Sequence, residues 1–156
     1  MITGQSGEYG GQGQVRKQRR PKVLIVEDDD RIRELIAMLM RGEGFEVVEL
    51  CDGMEALNYL AFTEVYAGQR RSPDLIVADI NMPTYSGLDL LEGMKEAETR
   101  APVMLVTGEA DAEIRAEGRR LGAACVVQKP FDVDRFLYEV EVCMGGRVTV
   151  EETVDQ

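Results

Sequence analysis

Four short apolar runs recur along the chain with room for a helix between them: Val23-Leu24-Ile25-Val26, Leu75-Ile76-Val77-Ala78, Val103-Met104-Leu105-Val106 and Cys125-Val126-Val127. Runs of this length, β-branched and bounded by polar residues, are what parallel strands look like when both faces of the sheet are covered. A fifth segment, Phe45–Leu50, is less uniformly apolar and suits an edge strand.

Helical patterning fills the intervals. Ile32, Leu35, Ile36 and Leu39 fall at three- and four-residue spacing, with Asp29 or Asp30 available as N-cap and Gly42 or Gly44 as a stop. Met54–Leu60 and Leu88–Met94 read as helices too. Val133, Phe136, Leu137, Val140 and Met144 form a last stripe, which Gly145-Gly146 ends. Ala110–Leu121 is weaker, because it carries Gly118 and offers mainly Ile114 and Leu121 to a core. Short loops and right-handed crossovers then predict an α/β domain over 21–144: a flavodoxin-like, doubly wound (βα)5 fold with a five-stranded parallel sheet in the order 2-1-3-4-5. Such sheets bind ligands at the carboxyl ends of their strands.

A chain of 156 residues holds one such domain and little more. With 44% hydrophobic and 30% charged residues it has the balance of a soluble protein. Neither an apolar run long enough to span a bilayer nor a signal-peptide core is present, so a cytoplasmic location is expected. Residues 1–20, rich in Gly and Gln with a net charge of +3, predict a flexible basic leader, and 145–156, at −2, an acidic tail or linker. The part between them carries −12 of the total −11, which argues against nucleic-acid binding by the folded domain. Cys51, Cys125 and Cys143 lie far apart in sequence with no CxxC pair, so neither a zinc site nor a disulfide framework is suggested, and reduced thiols packed as small apolar groups are expected. Histidine is absent altogether. Any chemistry must therefore rest on carboxylates, Lys, Thr and the backbone.

Each of the four runs is followed at once, or within two residues, by a reactive polar group: Glu27 and Asp28, then Asp79, then Thr107, then Lys129. A dinucleotide site or a P-loop needs glycines after the first strand, where Glu27-Asp28-Asp29-Asp30 stands instead. An acidic run by itself is ordinarily a helix cap and a solvated turn, yet here three carboxylates converge on one sheet edge. Unit charges about 4 Å apart repel by roughly 4 kcal/mol at an effective dielectric near 20, so the cluster needs a proton or a cation. All-oxygen ligands with positions left for water and phosphate favour Mg2+. With Mg2+ and Lys129 offsetting its charge and Thr107 hydrogen-bonding one oxygen, a phosphoryl group could approach Asp79, the best-placed carboxylate nucleophile.

The segments PKVLIVEDD, PDLIVADINMPTYSGLDLL, PVMLVTG and VVQKPF resemble the four signature segments of response-regulator receiver domains, in the family's order and over roughly 21–144. The resemblance implies two-component signalling: Asp79 is the phosphoacceptor, charged by a histidine kinase or histidine phosphotransfer protein, and Asp28 is a direct Mg2+ ligand. Glu27 then acts more through water, the Asn81 carbonyl is a further ligand, and Thr107 and Lys129 contact the phosphoryl group. Asn81 and Glu109 flank the site as in chemotaxis-type receivers, which implies a short-lived acyl phosphate. Downstream, an unidentified protein would be bound through the face of the fourth and fifth helices, and no DNA-binding domain is seen.

Two features depart from the family pattern. The stretch Gly53–Pro73 is longer than usual, with Glu64–Ser72 as the excess, so the second helix or its following loop should be extended. Val126 stands where the family usually carries a switching Tyr or Phe. Three other readings are set beside the leading one of a single-domain receiver. One is a receiver fragment of a longer multi-domain regulator, and one a pseudo-receiver, against which the complete acceptor set argues. The third is a Mg2+-dependent phosphatase, which lacks an acid two residues beyond the nucleophile, where Asn81 stands.

Overall fold

The computed structural model describes residues 19–65, 71–97, 100–108 and 112–145. Five strands and five helices alternate: β1 (Lys22–Val26), α1 (Asp30–Gly42), β2 (Glu46–Leu50), α2 (Gly53–Val65), β3 (Leu75–Asp79), α3 (Gly87–Glu96), β4 (Val103–Thr107), α4 (Ala112–Arg120), β5 (Cys125–Gln128) and α5 (Val133–Cys143). All neighbouring strands pair in parallel, in the order β2-β1-β3-β4-β5. This is the doubly wound topology expected from the alternation of runs, with β2 at an edge.

Side chains of a strand alternate between its two faces, and the core divides accordingly. Leu24, Val26, Ile76, Ala78 and Leu105 face Ala56, Leu60, Leu90 and Met94 of α2 and α3. Val23, Ile25, Leu75, Val77, Met104 and Val106 face Ile36, Met40, Phe136 and Val140 of α1 and α5. β1, β3 and β4 are therefore buried throughout, which is why they lack any polar alternation. β2 is more open, as an edge position allows.

The helix ends show which of the candidate caps act. Asp29, rather than Asp30, caps α1: its Oδ1 accepts from the amides of Arg31 and Ile32 at 2.9 and 3.1 Å. The helix ends at Gly42, and Gly44 adopts the left-handed conformation (φ +87°) that turns the chain into β2. α2 runs to Val65, five residues beyond Leu60 and into the excess segment, of which 66–70 lie outside the described residues. So do nearly all of the leader and tail, and Glu109. A capping box of Ser86 and Asp89 opens α3.

Gly118 gives α4 a packing role that its low helix propensity does not suggest. It is the buried residue of that helix, and a Cβ there would stand 2.9 Å from Leu105 Cδ1 and 3.3 Å from Val126 Cγ2. The glycine that lowers helix propensity is also what lets the helix lie close on β4 and β5. Ile114 and Leu121 pack beside it, as their spacing predicts.

Candidate functional site

Ladder bonds carry the register past the last residue of β1, β3 and β5. Glu27 N–H donates to Leu50 O at 3.1 Å, Ile80 N–H to Val106 O at 2.9 Å, and Lys129 N–H to Thr107 O at 2.7 Å. The residues that follow the strands are thereby set side by side along one edge. Glu27, Asp79 and Thr107 are buried there, at 1%, 4% and 0% exposure, while Asp28 faces solvent.

Asp79 is held at both oxygens. Its Oδ1 accepts from the backbone amide of Asn81 at 3.0 Å, and its Oδ2 accepts from Lys129 Nζ at 3.1 Å. The same ammonium donates to Glu27 Oε2 at 3.0 Å, and Glu27 Oε1 accepts from the Asp29 amide at 3.2 Å. Gly87 lies directly beneath: a Cβ there would come within 2.6 Å of the Asp79 carbonyl oxygen. The glycine is thus what allows α3 to begin against the end of β3.

One ammonium does not balance three carboxylates. Each of Glu27, Asp28 and Asp79 offers an oxygen within 4.8 Å of the others, and among the described residues they are the one acidic group so arranged. Burial pushes Glu27 up to about 7; the hydrogen bond from Lys129 pulls it down, and the charge of Asp79 adds to the rise. Burial alone would lower Lys129, but its bond to Glu27 and the charges of Asp79 and Glu27 leave it above the ordinary lysine value. The cluster is short of positive charge at neutral pH. Its donors are carboxylate oxygens, without nitrogen or sulfur, and a hard divalent cation is what such a set fits.

The five residues expected from the strand ends are therefore together. Asn81 is exposed, and the contact it makes with Asp79 is through its backbone amide. Two supporting contacts had no counterpart in the sequence reading. Arg33, pinned by Asp30 at 2.6 Å, donates to the Glu27 carbonyl at 2.9 Å, and a six-residue separation gives no periodic signal of it. The Ser86–Asp89 box was legible as an S-x-x-D pattern before an apolar stretch.

The family model described as response regulator receiver domain matches residues 23–141. The chain belongs to this family. Among relatives of this receiver domain, the regulatory protein AtoC of Escherichia coli is 36% identical over 72% of the chain, which covers 23% of AtoC. Sporulation initiation phosphotransferase F of Bacillus subtilis is 29% identical over 72% of the chain and 85% of its own length. The receiver domain spans about a quarter to a half of the curated transcriptional regulators it matches. Among solved structures, chemotaxis protein CheY4 of Vibrio cholerae superposes with a TM-score of 0.67 at 29% identity, covering 79% of this chain and 98% of that one. No helix among the described residues of the receiver domain is long and apolar enough to cross a membrane.

Proposed function

We propose that this receiver domain accepts a phosphoryl group on Asp79 from a histidine kinase or histidine phosphotransfer protein, in a Mg2+-dependent step, and so changes which protein its α4–α5 face binds. The observation that carries the reading is the setting of Asp79: a buried carboxylate held between an amide and an ammonium, beside two further carboxylates. In the transfer an Asp79 oxygen attacks phosphorus; the O–P bond forms as the N–P bond of the donor breaks, and the electron pair stays on the donor imidazole. The Asn81 amide fixes the carboxylate's orientation at Oδ1. Lys129 exchanges its bond to Asp79 for one to a phosphoryl oxygen, and Thr107, at the end of β4, hydrogen-bonds another. Glu27, Asp28 and Asp79, with the Asn81 carbonyl, would hold the ion. When bound, Mg2+ supplies the charge compensation that lets a phosphoryl group enter an acidic site.

A phosphatase reading is weaker, because two residues beyond Asp79 the chain offers Asn81 and no carboxylic acid. The output surface is the side of α4, β5 and α5 where Arg115, Val126, Gln128, Phe131 and Arg135 line a groove. The deciding experiment is intact-mass spectrometry after incubation with a small-molecule phosphodonor. A gain of about 80 Da is expected with Mg2+, none with chelator, and none in Asp79→Asn. An alkali-stable adduct on Asp79→Asn would overturn the assignment.

A further inference from the structure

We propose that Cys125 and Cys143 are a redox-modifiable site: a dithiol that closes to a reversible disulfide and fastens the end of α5 to β5. The two sulfurs lie 3.0 Å apart although 18 residues separate them in the chain. A disulfide needs about 2.05 Å, so the bond requires an approach of roughly 1 Å. Cys125 opens β5, in register with Met104 of β4, and Cys143 is the last residue of α5. Both are half-buried at the margin of the core that α5 shares with the sheet, packed but open to a small oxidant.

The pair is also chemically unequal. With Cys125 as the donor, the hydrogen bond between the two sulfurs holds the Cys143 thiol below its ordinary value, against its burial and the charge of Glu139. The same bond and burial push Cys125 up. Cys143 therefore supplies the thiolate, the form that reacts. With hydrogen peroxide as the oxidant, the Cys143 thiolate attacks one peroxide oxygen, the O–O bond breaks and a sulfenic acid forms. The Cys125 sulfur then displaces its hydroxyl. The sum is two thiols and one peroxide giving one disulfide and two waters, with two electrons passing from sulfur to oxygen.

Topology separates this site from the rest. β5 enters the sheet at Cys125 and leaves it next to Lys129, so the sulfurs and the acidic cluster lie at opposite ends of the strand. Cys51 follows the carboxyl end of β2, at the cluster's end of the sheet, and is exposed.

The test uses the full chain carrying Cys51→Ser, treated with hydrogen peroxide. Intact mass should fall by about 2 Da and return with dithiothreitol. Trypsin should release Leu121–Arg135 joined to Phe136–Arg147, since Lys129-Pro130 resists cleavage. The melting temperature of the oxidised form should rise by roughly 5–10 °C, and Cys143→Ser should abolish both changes. Separate oxygen gains on the two cysteines without the 2 Da loss, or a bridge between two chains, would overturn the proposal. Asp79→Asn should oxidise as readily, so failure here is distinct from failure of the phosphoacceptor reading.

Discussion

Glu27 is the residue at which folding and chemistry pull in opposite directions. Its carboxyl is buried with one shared ammonium for company, and its pKa is raised from 4.5 to about 7. A raised folded-state value means that the native chain binds this proton more tightly than the unfolded one. The associated stability is full below about 4.5 and is lost as pH rises through about 7. In metal-free protein, between pH 5.5 and 8, this single group should therefore cost about 2 kcal/mol of stability. Glu27→Gln should remove that part of the pH dependence, measured as denaturant midpoints of the two proteins in chelator; superimposable profiles would count against it. The positions of Glu27, Asp79, Thr107 and Lys129 were legible because each follows a strand-like run. What Lys129 does before any phosphoryl group arrives, bridging two carboxylates at 3.0 and 3.1 Å, was not. Nor was the Asn81 amide, since backbone donors leave no mark in side-chain patterns.

Elements constrain one another through single close approaches. Gly87→Ala would place a methyl 2.6 Å from the Asp79 carbonyl oxygen, and backbone cannot yield as a side-chain tip can. A loss of roughly 1–3 kcal/mol is expected, with slower phosphorylation in the same protein, read by denaturation and by phosphodonor mass kinetics. The glycine stood in the sequence as part of a motif, but its reason is visible only where α3 meets β3. The second elemental prediction concerns α4. Val126 has one stiff torsion and adds little area, so on the proposed reading the bias between states would come from bonds of Thr107 and Lys129 to the phosphoryl group. Residues 107–122 should then respond more than 124–144 to a beryllium fluoride mimic, followed by chemical-shift mapping. Gly118 sharpens this expectation: close against both Leu105 and Val126, it couples α4 to the two strands that lead to Thr107 and Lys129. A response abolished by Val126→Ala but not by Thr107→Ala would show the mechanism to be wrong.

For the molecule as a whole, the order of strands and the division of helices between two faces were readable because the runs of β1, β3 and β4 are buried on both sides and each helix on one. The meeting of Cys125 with Cys143 was not, since it depends on how β5 and α5 pack rather than on any spacing. Global stability should also report the cation site. A ligand that binds the native chain alone adds about 1.4 kcal/mol for each tenfold rise above its Kd, or roughly 3–6 °C in melting temperature for a domain of this size. Mg2+ should raise the melting temperature in that manner, and Asp28→Ala, at an exposed position, should remove most of the rise while leaving the metal-free value nearly unchanged. An undiminished rise in the variant would place the ion elsewhere. Finally, Glu27 and Lys129, partners across one hydrogen bond, are 102 positions apart in the chain. During synthesis Asp79 and its acidic neighbours leave the ribosome well before the ammonium that pairs with them. On the proposed reading, a chain truncated before β5 carries an Asp79 without the ammonium that pairs with it, and should accept a phosphoryl group poorly.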